Sequence, residues 1–151
     1  MTKAMVTVCM VVFVGILLLP CGTVAFNQAQ LGQLKATQKC QDCDLSGANL
    51  TGVNLFDVNL FGADLTGANL TGANLNRANL GRANLTGANL TGANLTGTDL
   101  SLAKLTGADL TGANLSAADL TDADLTGAKL FTAIWTDGSK CKSGSIGKCI
   151  K

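Results

Sequence analysis

The stretch Ala68-Asn69-Leu70-Thr71-Gly72-Ala73-Asn74-Leu75-Asn76-Arg77-Ala78-Asn79-Leu80 runs through one five-residue unit again and again. The unit is a small residue, Asn or Asp, Leu, a polar residue, and usually Gly. Outward from this stretch the same spacing continues in both directions. A leucine falls on every fifth residue from Leu45 to Leu130, 18 in succession. Two places before each leucine stands a small residue, mostly Ala, with Cys43, Val53, Val58 and Thr98 as the variants. Between them sits Asn or Asp, except at Lys104 and Lys129.

A period of five matches neither the 3.6 of a helix nor the 2 of a strand. A continuous helix would scatter these leucines around its circumference, and a flat strand would alternate them between faces. The spacing is consistent with short sides joined by corners, four sides closing a coil of 20 residues. Within a side, Leu and the residue two before it share one direction, as on a strand, and turn inward. The Asn or Asp between them turns outward. Thr-Gly then makes the corner, where glycine tolerates backbone angles closed to other residues.

The pattern resembles the pentapeptide-repeat family over residues 43–133. The resemblance implies an all-β fold, a right-handed quadrilateral β-helix. The lead-in Cys40-Gln41-Asp42-Cys43-Asp44-Leu45 is similar to that of exported cyanobacterial members. So is the run-out through Ile134-Trp135-Thr136-Asp137-Gly138 and Gly144–Cys149. The expected organisation is a signal peptide over 1–25, a short N-terminal capping helix and lead-in over 26–39, the solenoid over 40–135, and a disulfide-closed C-terminal loop over 136–151.

The 20-residue coil sorts the core into columns. One side stacks Leu45, Leu65, Leu85, Leu105 and Leu125. The second stacks Leu50, Leu70, Leu90, Leu110 and Leu130. The third holds Leu55, Leu75, Leu95 and Leu115 and ends at Trp135, expected to close the bottom. The fourth begins at Cys40 and holds Leu60, Leu80, Leu100 and Leu120. At the top, Asn27 is the expected helix cap, with Phe26 and Leu31 as a hydrophobic staple across it and Leu31 and Leu34 lying over the first coil.

The N-terminal segment reads as a targeting sequence. Lys3 precedes an apolar run from Ala4 to Leu19, 16 residues long, which is short for a membrane span of about 20. Thr23 and Ala25 suit a cleavage site after Ala25. An uncleaved anchor helix and a lipid-modified Cys21 are the competing readings, and Pro20 fits the second poorly. Cys9 and Cys21 would leave with the leader, and no stable membrane insertion is expected afterwards. Cys40, Cys43, Cys141 and Cys149 remain, an even number suited to an oxidising compartment. The spacing around Cys141 and Cys149 reads as a closed loop. The Cys40–Cys43 pair lies too far from that end to bridge to it, and is expected to bridge within itself. Localisation follows as periplasm, or thylakoid lumen in a cyanobacterial host.

Composition argues against catalysis. Among 151 residues there is no histidine or tyrosine, all ten acids are Asp, and the net charge is +1. The chain therefore lacks most general acid–base groups, and no nucleophile–base pair or metal cluster can be assembled from it. The C-x-x-C at Cys40 and Cys43 lacks the βαβ setting of a redox motif and the further ligands zinc needs. No cofactor and no nucleic-acid partner are expected. Asn-Leu-Thr/Ser at Asn49, Asn69, Asn84, Asn89, Asn94 and Asn114 matches a glycosylation acceptor but is contained in the repeat by construction.

Three surfaces remain. Phe56, Phe61, Arg77, Arg82 and Leu102 interrupt the outward repeat and form a candidate surface for a protein partner, with Asp57 and Arg77 one coil apart and able to pair. Threonine ladders (Ser46, Thr66, Thr86, Thr106, Thr126, and Thr51, Thr71, Thr91, Thr111) raise ice or crystal binding, although the two files lie on different sides. The family resemblance implies a third reading, an acidic DNA-mimic that binds gyrase. Residues 44–136 hold eight Asp against four Lys or Arg, a mild excess. The reading that best suits all of this is an exported, non-catalytic scaffold or interaction module, its partner and oligomeric state open.

Overall fold

A computed structural model describes residues 28–151. The signal segment, its cleavage site, and the capping roles of Phe26 and Asn27 lie outside the described residues, as does the side chain of Leu31. Helix α1, Gln28–Thr37, precedes the repeats.

From Lys39 onward, every fifth residue pairs in parallel with the residue twenty places later. The series runs from Lys39 with Asn59 to Asn114 with Ile134. Four such pairings occur in each coil, so the chain closes one turn per four pentads. The pairings are single bridges, and no multi-residue strand occurs among the described residues. The reason is local: only the central Asn or Asp of each side is flanked by extended backbone, because corners begin one residue beyond the leucine.

A pentad with a coil above and below it and Asn or Asp at its centre satisfies its own backbone donors. In the pentad Ala68–Gly72, the Ala68 N–H closes a turn onto the Leu65 carbonyl (3.0 Å) and the Asn69 N–H donates to Ala48 in the coil above (2.9 Å). The Leu70 N–H donates to Asn89 (2.7 Å) and the Gly72 N–H to Thr91 (2.9 Å), both in the coil below. The Thr71 N–H turns back onto Asn69 Oδ1 (3.1 Å). All five donors are thus used, as a buried or half-buried backbone requires. The accepting side-chain Oδ1 is part of this set, which explains why the unit needs Asn or Asp at that place.

The leucine columns line the interior. Leu50, Leu70, Leu90, Leu110 and Leu130 are all 0 % exposed, as are Leu45, Leu65, Leu85 and Leu105. Alanines fill the space between them. Thr98 occupies an alanine place and is fully buried, its hydroxyl donating to the Leu75 carbonyl at 2.7 Å. Cys40 and Cys43 sit in the core with Cα atoms 5.2 Å apart and sulfurs at bonding distance.

The two ends differ. Leu34 of α1 is buried against the first coil, and Gln30 Oε1 accepts from the Asp44 N–H at 2.8 Å. At the bottom the chain returns antiparallel, pairing Ile134 with Lys140 and Lys129 with Ile146. Cys141 is buried there and bonds to Cys149. The return covers the second and third sides. Trp135 is half-buried and packs against the core. Leu120 and Leu125, on the fourth and first sides, are likewise only half-buried.

The columns predict a gradient of sensitivity. Leu90→Ala, in the middle coil, should lower the unfolding free energy by about 2–5 kcal/mol. Leu120→Ala, beside the uncovered end, should cost less than half as much. Urea denaturation of the two variants, followed by circular dichroism, measures the difference.

Candidate interaction surface

The corner geometry repeats with the pentad. Its second residue has positive φ, which glycine adopts freely and other residues adopt at a cost of roughly 1 kcal/mol. After the first and second sides that residue is Gly in every described coil except at Thr132. After the third and fourth sides glycine remains only at Gly62 and Gly97. Asp57, Arg77 and Ala117 follow the third side, and Asp42, Arg82, Leu102 and Asp122 follow the fourth, all with φ between 52° and 59°. Seven of the nine positive-φ residues other than glycine therefore stand on two corners of the square.

These corners carry the residues singled out in the sequence. Phe56 and Leu102 are 43 % and 47 % exposed, and Arg77 and Arg82 are exposed as well. Phe61 is half-buried. The Arg82 guanidinium carbon lies 5.9 Å from the Phe61 ring centroid, within cation–π range. Asp57 and Arg77 do not form an ion pair; those present among the described residues are Lys129 with Asp109 and Lys151 with Asp137. The stacked positions place both groups at an exposed corner, where water competes for each.

Gly81 makes the Phe61–Arg82 contact fit. A Cβ on Gly81 would stand 3.2 Å from Phe61 Cδ2, so the ring occupies the place a side chain would fill. Sequence reading does not single out this residue, although its signal is visible there: glycine replaces the usual Thr one coil below a phenylalanine. Nor does it single out the corner acid Asp122, whose positive φ only the coordinates reveal.

The threonine ladders are tied up within the repeat. The Thr71 and Thr86 hydroxyls donate to Oδ1 of Asn69 and Asn84, both at 2.7 Å. Others link coils: Asn84 Nδ2 donates to Thr66 Oγ1 at 2.8 Å, and Asn74 Nδ2 to Asn54 Oδ1 at 2.9 Å. Lys104 has no oxygen to offer Thr106, and the Thr106 hydroxyl reaches instead to Asp124 in the coil below, at 2.9 Å.

The same bonds depress several carboxyls. Hydroxyl and backbone donors of Thr121 hold Asp119 below its ordinary value, and those of Thr126, with the Thr106 hydroxyl, do the same for Asp124. Burial pushes Asp109 up, but the Thr111 hydroxyl and N–H and the Lys129 ammonium outweigh it, and the net direction is down. The Lys151 ammonium, with the Ser139 hydroxyl and N–H, sets Asp137 well down. These groups release protons more readily when folded. Their contribution to stability is complete above the unfolded carboxylate value of about 4 and is lost as pH falls through the lower folded values. The melting temperature should be level from about pH 7 to 5 and should fall below about pH 4. Asp119→Asn with Asp124→Asn keeps the accepting Oδ1 and should flatten that acid limb in thermal melts.

Comparison with known proteins adds three findings. A family model described as pentapeptide repeats matches eight copies, over residues 39–77, 63–101 and 98–134. No curated protein is similar enough to count as a match. Among solved structures the chain is similar to HetL, a pentapeptide repeat protein involved in heterocyst differentiation regulation from the cyanobacterium Nostoc sp. strain PCC 7120. The identity is 41 %, over 68 % of this chain and 51 % of that one, with a TM-score of 0.35. It is similar to QnrB1, a plasmid-mediated fluoroquinolone resistance protein, at 26 % identity over 62 % of this chain and 45 % of that one, TM-score 0.58. It is also similar to a pentapeptide repeat protein of the Arabidopsis thaliana thylakoid lumen, at 30 % identity over 78 % and 88 %, TM-score 0.43. The chain thus spans about half the length of the first two.

Proposed function

This chain belongs to the pentapeptide-repeat family, and on that premise we propose that it is an exported, non-catalytic scaffold that binds a protein partner along its third and fourth corners. The observation that carries the reading is the concentration of strained, non-glycine residues there. Two corners keep glycine almost throughout. The other two give it up to display Asp57, Arg77, Arg82, Leu102 and Asp122 with positive φ. Backbone strain kept at exposed positions, where packing does not demand the side chain, points to selection for what the side chain touches. Phe56, Leu102, Arg77 and Arg82 combine exposed apolar area with arginine, a composition favoured at binding hot spots. The matching partner surface is an apolar pocket flanked by carboxylates.

The finer features of this reading rest on the sequence and the family. A right-handed, four-sided β-helix is what the family resemblance implies. Export follows from the leader-like segment ending at Ala25. The pairing of all four cysteines in the described residues suits an oxidising compartment, periplasm or thylakoid lumen. The absence of His, Glu and Tyr from the whole chain supports the non-catalytic assignment.

The strain argument makes a test with two opposed readouts. Leu102→Gly relieves the positive φ and should raise stability by up to about 1 kcal/mol. The same change, alone and together with Arg82→Gly, should weaken capture of the partner that copurifies with the wild-type chain from its native host by at least about tenfold, as one lost contact of about 1.4 kcal/mol would do. A stability gain with undiminished capture would remove the corners from the partner surface.

A further inference from the structure

The lower end of the rod is only half covered, and its open half has a distinct chemistry. In every coil above, the N–H groups of the leucine and of the second corner residue donate downward. Leu100 and Leu102 donate to Asp119 and Thr121, and Leu105 donates to Asp124, at 2.8–2.9 Å. One coil lower, the same series reaches Leu120, Asp122 and Leu125. These N–H groups have no hydrogen-bond partner among the described residues. Nor do the carbonyls of Ala118 and Ala123, whose counterparts one coil above, on Thr98 and Ala103, accept from Asp119 and Asp124. The returning C-terminal segment meets the neighbouring sides instead, with Leu130 donating to Ser145 and Thr132 to Cys141, and its Gly147 lies beside the Leu125 carbonyl and Gly127 at the far end of the run.

Three further observations bear on what would fit there. The column residues Leu120 and Leu125, with Ala123 between them, are half-buried, whereas Leu100 and Leu105 directly above are fully buried. Asp119, Asp122 and Asp124 stand along the same run and reach its surface. None of the three has a Lys or Arg at ion-pair distance among the described residues. The run therefore offers a row of free backbone donors and acceptors, apolar ground between them, and negative charge on its outer side. Extended polypeptide is the ligand that answers a free backbone row. Lysine or arginine at alternate positions answers the charge, because alternate side chains of an extended segment leave on one face.

We propose that the uncovered edge Ala118–Leu125 docks an extended, lysine- or arginine-bearing polypeptide segment, which adds below the fourth or first side as the next coil would. The site lies at the lower end of the rod, shares only Asp122 with the corner surface, and does not depend on the corner reading.

The test uses the isotope-labelled chain and a seven-residue peptide of alternating lysine and valine, blocked at both ends. Saturable shifts of the Leu120 and Asp122 amide resonances are expected if the peptide lies below the fourth side, and of the Leu125 amide if it lies below the first. Asp119→Asn, Asp122→Asn and Asp124→Asn together keep the corner-accepting Oδ1 at positions 119 and 124, and should weaken binding at least tenfold. The same peptide with glutamate for lysine should not bind. A version methylated on alternate backbone nitrogens keeps the charge but not the pairing, and should also fail to move these amides. Phe56→Ser with Arg82→Ser should leave peptide binding unchanged. The proposal is overturned if the methylated peptide binds equally, if the shifts spread over the whole surface, or if the three amides shift with protein concentration alone, which would assign the edge to a second copy.

Discussion

Each pentad brings five backbone N–H groups into a rod only four sides around, and none of them has room to reach water from the inside. The 20-residue register answers this need. Three donors go to neighbouring coils, one closes the corner turn, and one goes to the Asn or Asp of its own pentad. A shift of the register by one residue would move every leucine off its column and every Asx oxygen off its corner. The requirement for backbone pairing and the requirement for an apolar axis are met by the same spacing, so each reinforces the other.

That constraint explains why exceptions to the repeat are informative. Thr98 enters an alanine place without penalty because its hydroxyl reaches the Leu75 carbonyl. Lys104 cannot serve its corner, and Thr106 compensates by bonding to Asp124 across coils. Lys129 likewise gives up the corner oxygen and faces Asp109 instead. These are local repairs within a scaffold whose register is set elsewhere. The replacements of corner glycine are different in kind. Asp57, Arg77, Arg82 and Leu102 are strained where they stand and their side chains are exposed, with Arg82 lying over the Phe61 ring. A repeat scaffold spreads such costs over many stacked coils, which is what allows a rigid rod to carry a few unfavourable residues as a contact surface.

The ends show how the same backbone demand is met without a next coil. At the top, α1 lends Leu34 to the core and the Gln30 side chain to the Asp44 N–H. At the bottom, a segment held by Cys141 and Cys149 doubles back under two sides only. Among the described residues α1 and the doubled-back segment each cover part of their end, and the uncovered part of the lower end is the one that carries Asp119, Asp122 and Asp124.

Periodicity alone determined which residues line the core. Eighteen leucines in strict fives name the inward residues; the four-sided coil of 20 residues, and with it the columns, is what the family resemblance implies, and the parallel pairing of residues twenty apart agrees with it. The periodicity also marked Phe56, Phe61, Arg77, Arg82 and Leu102 as departures from the unit. What it left undecided depends on contacts between residues far apart in the chain. The slot that Gly81 leaves for Phe61 and the failure of Asp57 to pair with Arg77 both depend on residues one coil apart. The direction in which the chain returns after the last repeat, and hence which two sides it leaves bare, follows from how Ile134 and Lys129 pair with segments beyond the repeat. A repeat predicts its own continuation; where it stops, only packing against whatever comes next decides what is covered.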